Sequence, residues 1–275
     1  MILGSGLIQS ANTFVGAYDA IPSIAAAYST RRLLSSYEGP LLRLVADRAG
    51  YPEQDIGYTA AGDLDTATAA SFLSGDAGYV TKWYDQSGNT RDAAQATLAN
   101  MPLYVASGQN SRPILRFDGT NDRMAAARAT GAAITVLCAV QQRSSQVNKR
   151  VFSLGATDYS DIYTVVTTYA FGYYSTQASG AYAIGGNAST FSLITLLISS
   201  ASVADVYVNG TISGGGGFAP SDGYTSNATL TIATSGNGNN SGAMDIPELV
   251  LCNAALSAPN RSAAETAANA YWSIY

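Results

Sequence analysis

Carboxylates and aromatic hydroxyls are the chemistry this sequence has to offer, because the other common reactive groups are scarce. There is no histidine among the 275 residues. That removes the commonest general base and the commonest metal ligand together, so histidine triads and the usual zinc sites are excluded and no cofactor or metal is expected. The two cysteines, Cys138 and Cys252, each sit inside an apolar strand-like run and read as buried thiols, with a disulfide between them left open. The glutamates are four: Glu38, Glu53, Glu248 and Glu265. In Trp83-Tyr84-Asp85-Gln86-Ser87-Gly88-Asn89 the polar side chains could hydrogen-bond a sugar while an aromatic ring stacks on it. An Asp-x-Ser-Gly turn after an apolar strand more often ties backbone groups together, and that reading is favoured. Asp118, Asn121 and Asp122 offer oxygens that could ligate calcium, although a polar turn explains them equally well.

Tyrosines crowd the stretch from Tyr159 to Tyr182. Strand packing accounts for most of them, and an amphipathic ring also suits a sugar platform. A glycan site, if one exists, is expected at Asp158, Tyr159, Tyr173 and Tyr174 together with Asn237 and Asn239. No catalytic residue is assigned.

Charged residues make up 12% of the chain, about half the roughly 25% usual in soluble domains, so the surface must be largely neutral and polar. The net charge is −5, and the twelve arginines and two lysines, Lys82 and Lys149, are scattered. Without a basic stripe to neutralise phosphates, nucleic acid is not an expected partner. No apolar run approaches the roughly 20 residues that cross a bilayer, and Met1–Ile8 lacks the positive region of a secretory leader, so neither membrane insertion nor ordinary export is expected.

Residues 1–23 carry neither helical nor strand periodicity and read as an arm, either docking on a neighbouring subunit or completing this domain's own sheet. Residues 24–275 read as one domain. Between Ala25 and Ala46 two short elements flank a Gly39-Pro40 turn. Asp65 caps a short helix closed by Gly75. Beyond Arg112 come strand-length runs: Pro113–Phe117, Ile134–Gln141, Arg150–Leu154, Ile162–Thr168, Ala170–Tyr174, Ala181–Ile184, Phe191–Ser199, Asp205–Val208, Thr229–Ala233 and Ile246–Asn253. That density predicts an all-β, two-sheet concanavalin-like (jelly-roll) sandwich with one or two short helices. Asn209-Gly210 marks a tight hairpin, and Ser257 caps a terminal helix carrying Tyr271 and Trp272.

The blocks Ala27-Tyr-Ser-Thr-Arg-Arg-Leu33, Tyr37-Glu-Gly-Pro-Leu-Leu-Arg43, Gly62-Asp-Leu-Asp65, Val80-Thr-Lys-Trp-Tyr-Asp-Gln-Ser-Gly-Asn89 and Asp92-Ala-Ala-Gln-Ala96 occur in order. Over residues 25–105 the chain resembles the N-terminal part of family-54 α-L-arabinofuranosidase catalytic domains. The remainder, through Arg112-Pro-Ile-Leu-Arg-Phe-Asp-Gly-Thr-Asn-Asp122 and Val206-Tyr-Val-Asn-Gly210, is similar to concanavalin-like and laminin-G-like domains. In the resembled family the nucleophile is a mid-domain glutamate, and this chain has none between Glu53 and Glu248. The family's acid is an aspartate in a Gly-Asp-Asn-Ser-like loop. The corresponding loop here, Thr234–Ser241, has no acid. Asp245 lies just downstream and could in principle substitute, although an edge or turn role is expected.

The resemblance therefore implies the scaffold without its catalytic residues. Because phage structural proteins combine these two stretches, it implies a non-catalytic bacteriophage virion protein of the tail, fibre or capsid surface. Its partners would be other virion proteins, host glycans and further copies of itself, and its location the extracellular particle. The alternatives are an active hydrolase of the arabinofuranosidase type and a cellular lectin-like module.

Overall fold

The computed structural model describes residues 14–131, 133–155, 161–166, 168–174, 179–185, 190–200, 203–213, 228–236 and 238–275, with backbone only for 161, 165–166, 168–174 and 179–185. In chain order these form β1 (Ile24–Ser29), β2 (Leu42–Ala46), β3 (Glu53–Ile56), α1 (Thr66–Leu73), β4 (Gly78–Trp83), β5 (Ala93–Ala94), β6 (Leu103–Val105), β7 (Ile114–Asp118), β8 (Met124–Ala127) and β9 (Ile134–Gln142). They continue through β10 (Gln146–Ser153), β11 (Asp161–Val166), β12 (Thr168–Tyr174), β13 (Ser179–Gly185), β14 (Ser192–Ser200), β15 (Val203–Val208), β16 (Thr211–Ile212), β17 (Thr229–Ile232), β18 (Ala243–Cys252) and α2 (Ala258–Trp272).

The strands pair antiparallel in one continuous path that folds over on itself. One arm runs β16-β15-β14-β9-β18, where β18 pairs with β7 through Ala243–Ile246 and with β1 through Glu248–Cys252. The path continues β7-β6-β4, and from β4 it branches to β2-β3 and to β5-β8-β17-β10-β11-β12-β13. Leu196 and Val206 from the first arm share one buried cluster with Phe152, Ile232 and Met124 from the other, so the fold is an all-β sandwich with its core between two layers.

Period-two alternation decides which residues enter that core. Val136, Cys138 and Val140 on β9 point into it. Leu137, between them, joins Tyr18, Val250 and Cys252 in a second cluster on the other side of the sheet. Cys138 and Cys252 thus face opposite sides of paired strands, and both are free buried thiols. Burial pushes the Cys252 thiol up to about 12, and it raises that of Cys138 as well.

Local signals translated directly. Asp65 accepts from Thr68 N–H at 3.0 Å and starts α1, while Ser257 accepts from Asn260 N–H and starts α2 with Pro259 in its first turn. Asn209 and Gly210 take φ of 52° and 76°, the left-handed pair a type I′ turn requires between β15 and β16. The ten strands expected beyond Arg112 all form. Within the 24–275 domain the sheet also takes in segments before Arg112, since β2, β4 and β6 continue it into β7. Within the segment read as an arm, Tyr18 is completely buried and its N–H donates to Leu33 O at 3.1 Å, so residues 14–23 lie against this domain's own β1 and β18.

Candidate active site

The register fixes one row of side chains on the face turned away from the core. Val45, Tyr79, Leu103, Arg116, Asp245 and Gln141 are successive cross-strand partners on β2, β4, β6, β7, β18 and β9. Their sequence neighbours Leu115, Phe117, Met244 and Ile246 point inward. Over this row lies a cavity of about 580 Å³, lined by Tyr79, Leu98, Met101 and Leu103 on its apolar side and by Arg116, Asp118, Asp122 and Arg143 on its polar side, with the exposed Asp47 also on its wall. An apolar wall with a few convergent polar groups is the usual make-up of a small-molecule site, and its volume suits one or two sugar rings.

The aspartate pair is built by the turn after β7. Thr120, Asn121 and Asp122 donate their N–H groups to Asp118 Oδ1 at 2.7, 3.2 and 3.2 Å, while Asp118 N–H donates to Asp122 Oδ2 at 2.9 Å. Gly119 takes φ +84° inside this turn, and a Cβ there would stand 2.6 Å from Ala243 N, so only glycine lets the turn close on β18. The turn spends one oxygen of each acid. Asp118 Oδ2 and Asp122 Oδ1 have no hydrogen bond among the described residues and remain available to a ligand.

The two carboxyl groups are driven apart. Burial pushes Asp122 up to about 7; the N–H of Asp118 pulls against this, and the charge of Asp118 adds to it. Burial also acts to raise Asp118, but the three N–H donors outweigh it and hold that group below the usual carboxylate range. The turn therefore pairs an ionised Asp118 with an Asp122 that keeps its proton to a higher pH than an ordinary carboxyl group.

Asp245 sits beside them inside β18, not at an edge or turn as the sequence suggested, because the strand already starts at Ala243. Arg116 grips it with two contacts of 2.8 Å, and Arg143 approaches it at 3.6 Å. None of the four glutamates lines the cavity. Glu38 and Glu53 are exposed. Glu265 is buried between Thr195 Oγ1 at 2.8 Å and Arg261 Nη1 at 2.6 Å. Glu248 is buried under Tyr18, Ser29, Arg31 and Trp272.

The Trp83–Asn89 motif is a backbone staple. Asp85 accepts from Ala27 N, Ser87 N, Ser87 Oγ and Arg91 N at 2.8 to 3.0 Å, and Gln86 accepts from Leu33 N at 2.7 Å while donating to Arg31 O at 2.9 Å. Trp83 is wholly buried and offers no stacking face. Replacing Asp85 by alanine is expected to cost about 2–4 kcal/mol, since several buried donors lose their acceptor at once. Urea unfolding measures this, and a loss indistinguishable from zero would contradict the staple.

Of the residues expected to form a glycan site, Asp158, Tyr159 and Asn237 lie outside the described residues. Tyr173 and Tyr174 fall at the end of β12, where they pair with Gly180 and Ser179. Asn239 is exposed, and its carbonyl accepts from Thr234 Oγ1 and from Ser235 N and Oγ. The aspartate pair had been singled out in the sequence for calcium. Arg116, Arg143 and Tyr79 had not been singled out at all.

Comparison with known proteins bears on this cavity. The family model for the catalytic domain of α-L-arabinofuranosidase B matches residues 15–137, which includes Tyr79, Arg116, Asp118 and Asp122. No curated protein matches the sequence. Among solved structures, an arabinofuranosidase complexed with arabinofuranosyl-α-1,2-xylobiose superposes with a TM-score of 0.68 at 17% identity, covering 93% of this chain and 64% of that one. A family-54 α-L-arabinofuranosidase soaked with a cyclic sulfate inhibitor gives 0.67 at 16% over the same shares. The binding domain of Paraclostridial Mosquitocidal Protein 1 gives 0.53 at 12% over 70% of this chain.

This chain thus shares the sandwich fold of those enzymes and spans less than two thirds of their length. The expectation of a bacteriophage virion, structural or tail-fibre protein is corrected by these matches, which point to glycoside hydrolases. That expectation rested on the missing mid-domain glutamate and on the company such sandwiches keep. The absence of a glutamate between Glu53 and Glu248 stands, and the carboxylates that line the cavity are aspartates.

Proposed function

We propose that this chain is a glycoside hydrolase acting on α-L-arabinofuranosides. The observation that carries the reading is the Asp118–Asp122 pair, two carboxyl groups in one sugar-sized cavity with their protonation pushed in opposite directions, within the stretch matched by the arabinofuranosidase family model. Glycoside hydrolysis needs an acid to protonate the departing oxygen and a carboxylate facing the positive charge at the anomeric carbon. Asp122 gives its proton to the leaving oxygen. Asp118, ionised, stabilises the oxocarbenium-like centre; water then adds to that carbon and gives its proton to the Asp122 carboxylate, which restores the acid. Leu103 and Met101 provide apolar surface for the sugar's C–H face.

The test is release of 4-nitrophenol from 4-nitrophenyl α-L-arabinofuranoside between pH 4 and 9. Turnover whose rate falls as pH rises through about 7, the range in which Asp122 loses its proton, is the expected result. Absence of turnover by folded protein at every pH overturns the reading.

A further inference from the structure

The cavity is longer than one sugar ring needs. Val45, Tyr79, Leu103 and Arg116 are successive cross-strand partners, so the first and the last stand three strand spacings apart, about 14 Å. Each step of that row reverses the strand direction, which leaves β2 and β7 running antiparallel. Asp47, two residues past Val45, and Asp118, two residues past Arg116, therefore leave the row at opposite ends, yet both line the same cavity. Acids placed in this way cannot grip the same ring. A sugar held at the Asp118–Asp122 turn leaves the Asp47 end open to a second one.

That far end suits a neutral ring. Asp47 N–H donates to Ala77 O at 2.9 Å, which extends the β2–β4 ladder past Ala46 and sets Asp47 diagonally beside Tyr79 on the same face. Tyr79 is half-buried, with part of its side chain open to the cavity, and its hydroxyl makes no hydrogen bond among the described residues. The Asp47 carboxylate is likewise uncommitted among the described residues, since the neighbouring Arg48 donates instead to Phe72 O, Leu73 O and Asp76. Both cations of the cavity, Arg116 and Arg143, are drawn to the buried Asp245. A lining that keeps free carboxylate oxygens accepts sugar hydroxyls and repels a sugar carboxylate.

We infer that Tyr79 and Asp47 form a second sugar subsite, in which the Tyr79 ring carries the apolar face of a neutral sugar and Asp47 accepts from its hydroxyls, making the substrate class a neutral arabinofuranosyl oligosaccharide or polysaccharide. This rests on the hydrolase reading for the arabinofuranosyl ring only; the contact at Tyr79 and Asp47 is a binding statement. Tyr79 is the aromatic side chain among the described residues that line the cavity, and an aromatic face beside a hydrogen-bonding group matches a sugar, which is apolar on one side and rimmed with hydroxyls.

The experiment titrates the full chain with xylobiose and with the acidic disaccharide glucuronosyl-xylose, followed by protein NMR shifts, in the wild type, Tyr79→Ala, Tyr79→Phe and Asp47→Asn. Xylobiose is expected to bind the wild type about five-fold more tightly than the acidic disaccharide, and Asp47→Asn should narrow that preference by removing the charge. Tyr79→Ala should weaken xylobiose about ten-fold, whereas Tyr79→Phe, which keeps the ring, should stay within about three-fold of the wild type. Absence of saturable xylobiose binding overturns the proposal. So does equal affinity for the two disaccharides, or a folded Tyr79→Ala that binds as the wild type does. Should Tyr79→Ala fail to fold, the preference in the wild type and its reduction in Asp47→Asn decide. Because no turnover is measured, xylobiose binding without arabinofuranoside hydrolysis would leave this subsite standing and remove the hydrolase reading, and hydrolysis by a chain that ignores xylobiose would do the reverse.

Discussion

Replacing Glu248 by alanine is expected to cost about 3–5 kcal/mol of folding stability, the toll of stranding a buried charge. Arg31 Nε and Nη2 meet the Glu248 carboxylate at 2.8 and 3.1 Å, and both side chains are almost wholly buried. Tyr18 Oη at 2.7 Å, Ser29 Oγ at 2.9 Å and Trp272 Nε1 at 3.0 Å complete its shell. One carboxylate therefore ties the 14–23 segment, β1 and α2 to the central strand β18. Burial acts to raise the Glu248 carboxyl group, but the Arg31 charge and these donors outweigh it and hold the group below its usual range. A depressed carboxylate stabilises the fold fully above its unfolded value and loses that contribution as pH falls through the folded one.

The Glu248→Ala deficit should accordingly be largest at neutral pH and shrink in acid, as read from urea midpoints at pH 7 and pH 3. Arg31→Leu combined with Glu248→Leu should recover much of the loss, because a packed apolar pair carries no desolvation cost. A double variant as unstable as the single one would mean that the neutral donors, not the ion pair, make the junction.

What the sequence revealed tracks how local each instruction is. Asp65, Ser257 and Asn209-Gly210 act on backbone groups within a few residues, and each produced the expected cap or turn. β8 escaped notice because Met124-Ala-Ala-Ala127 has neither β-branched nor aromatic residues; it is a strand because β17 pairs along its whole length. The cavity was hidden for a related reason. Arg116 and Asp245 each stand as a charged residue between apolar neighbours, which marks the outward face of a strand, yet they are 129 residues apart and only the β7–β18 register joins them. The Asp118–Asp122 turn was visible as a turn, but the burial that raises Asp122 comes from the folded chain, which no local pattern encodes. The Trp83–Asn89 motif shows the converse, since its polar residues looked suited to a sugar and are spent on the chain's own backbone.

Asp122→Asn should separate function from stability in a way no core substitution can. Asparagine retains an acceptor for Asp118 N–H, so the turn is preserved, but it has no proton to give, and loss of a general acid is expected to lower kcat about 10²–10⁴-fold. Stability should move the other way. Burial pushes Asp122 up to about 7 in the fold from about 3.9 in the unfolded chain, so between those values the folded chain binds more protons than the unfolded one. Stability must fall as pH rises across that window, the reverse of the Glu248 contribution. The asparagine variant lacks this slope and should exceed the wild type by roughly 2–4 kcal/mol at pH 8, with the gap closing towards pH 4. Urea midpoints at the two pH values decide it. A variant both inactive and more stable at pH 8 would identify the burial of Asp122 as a cost the fold bears for chemistry; a variant with unchanged stability at pH 8 would mean that the carboxyl group is well solvated, and it would remove the physical basis for an acid working at neutral pH.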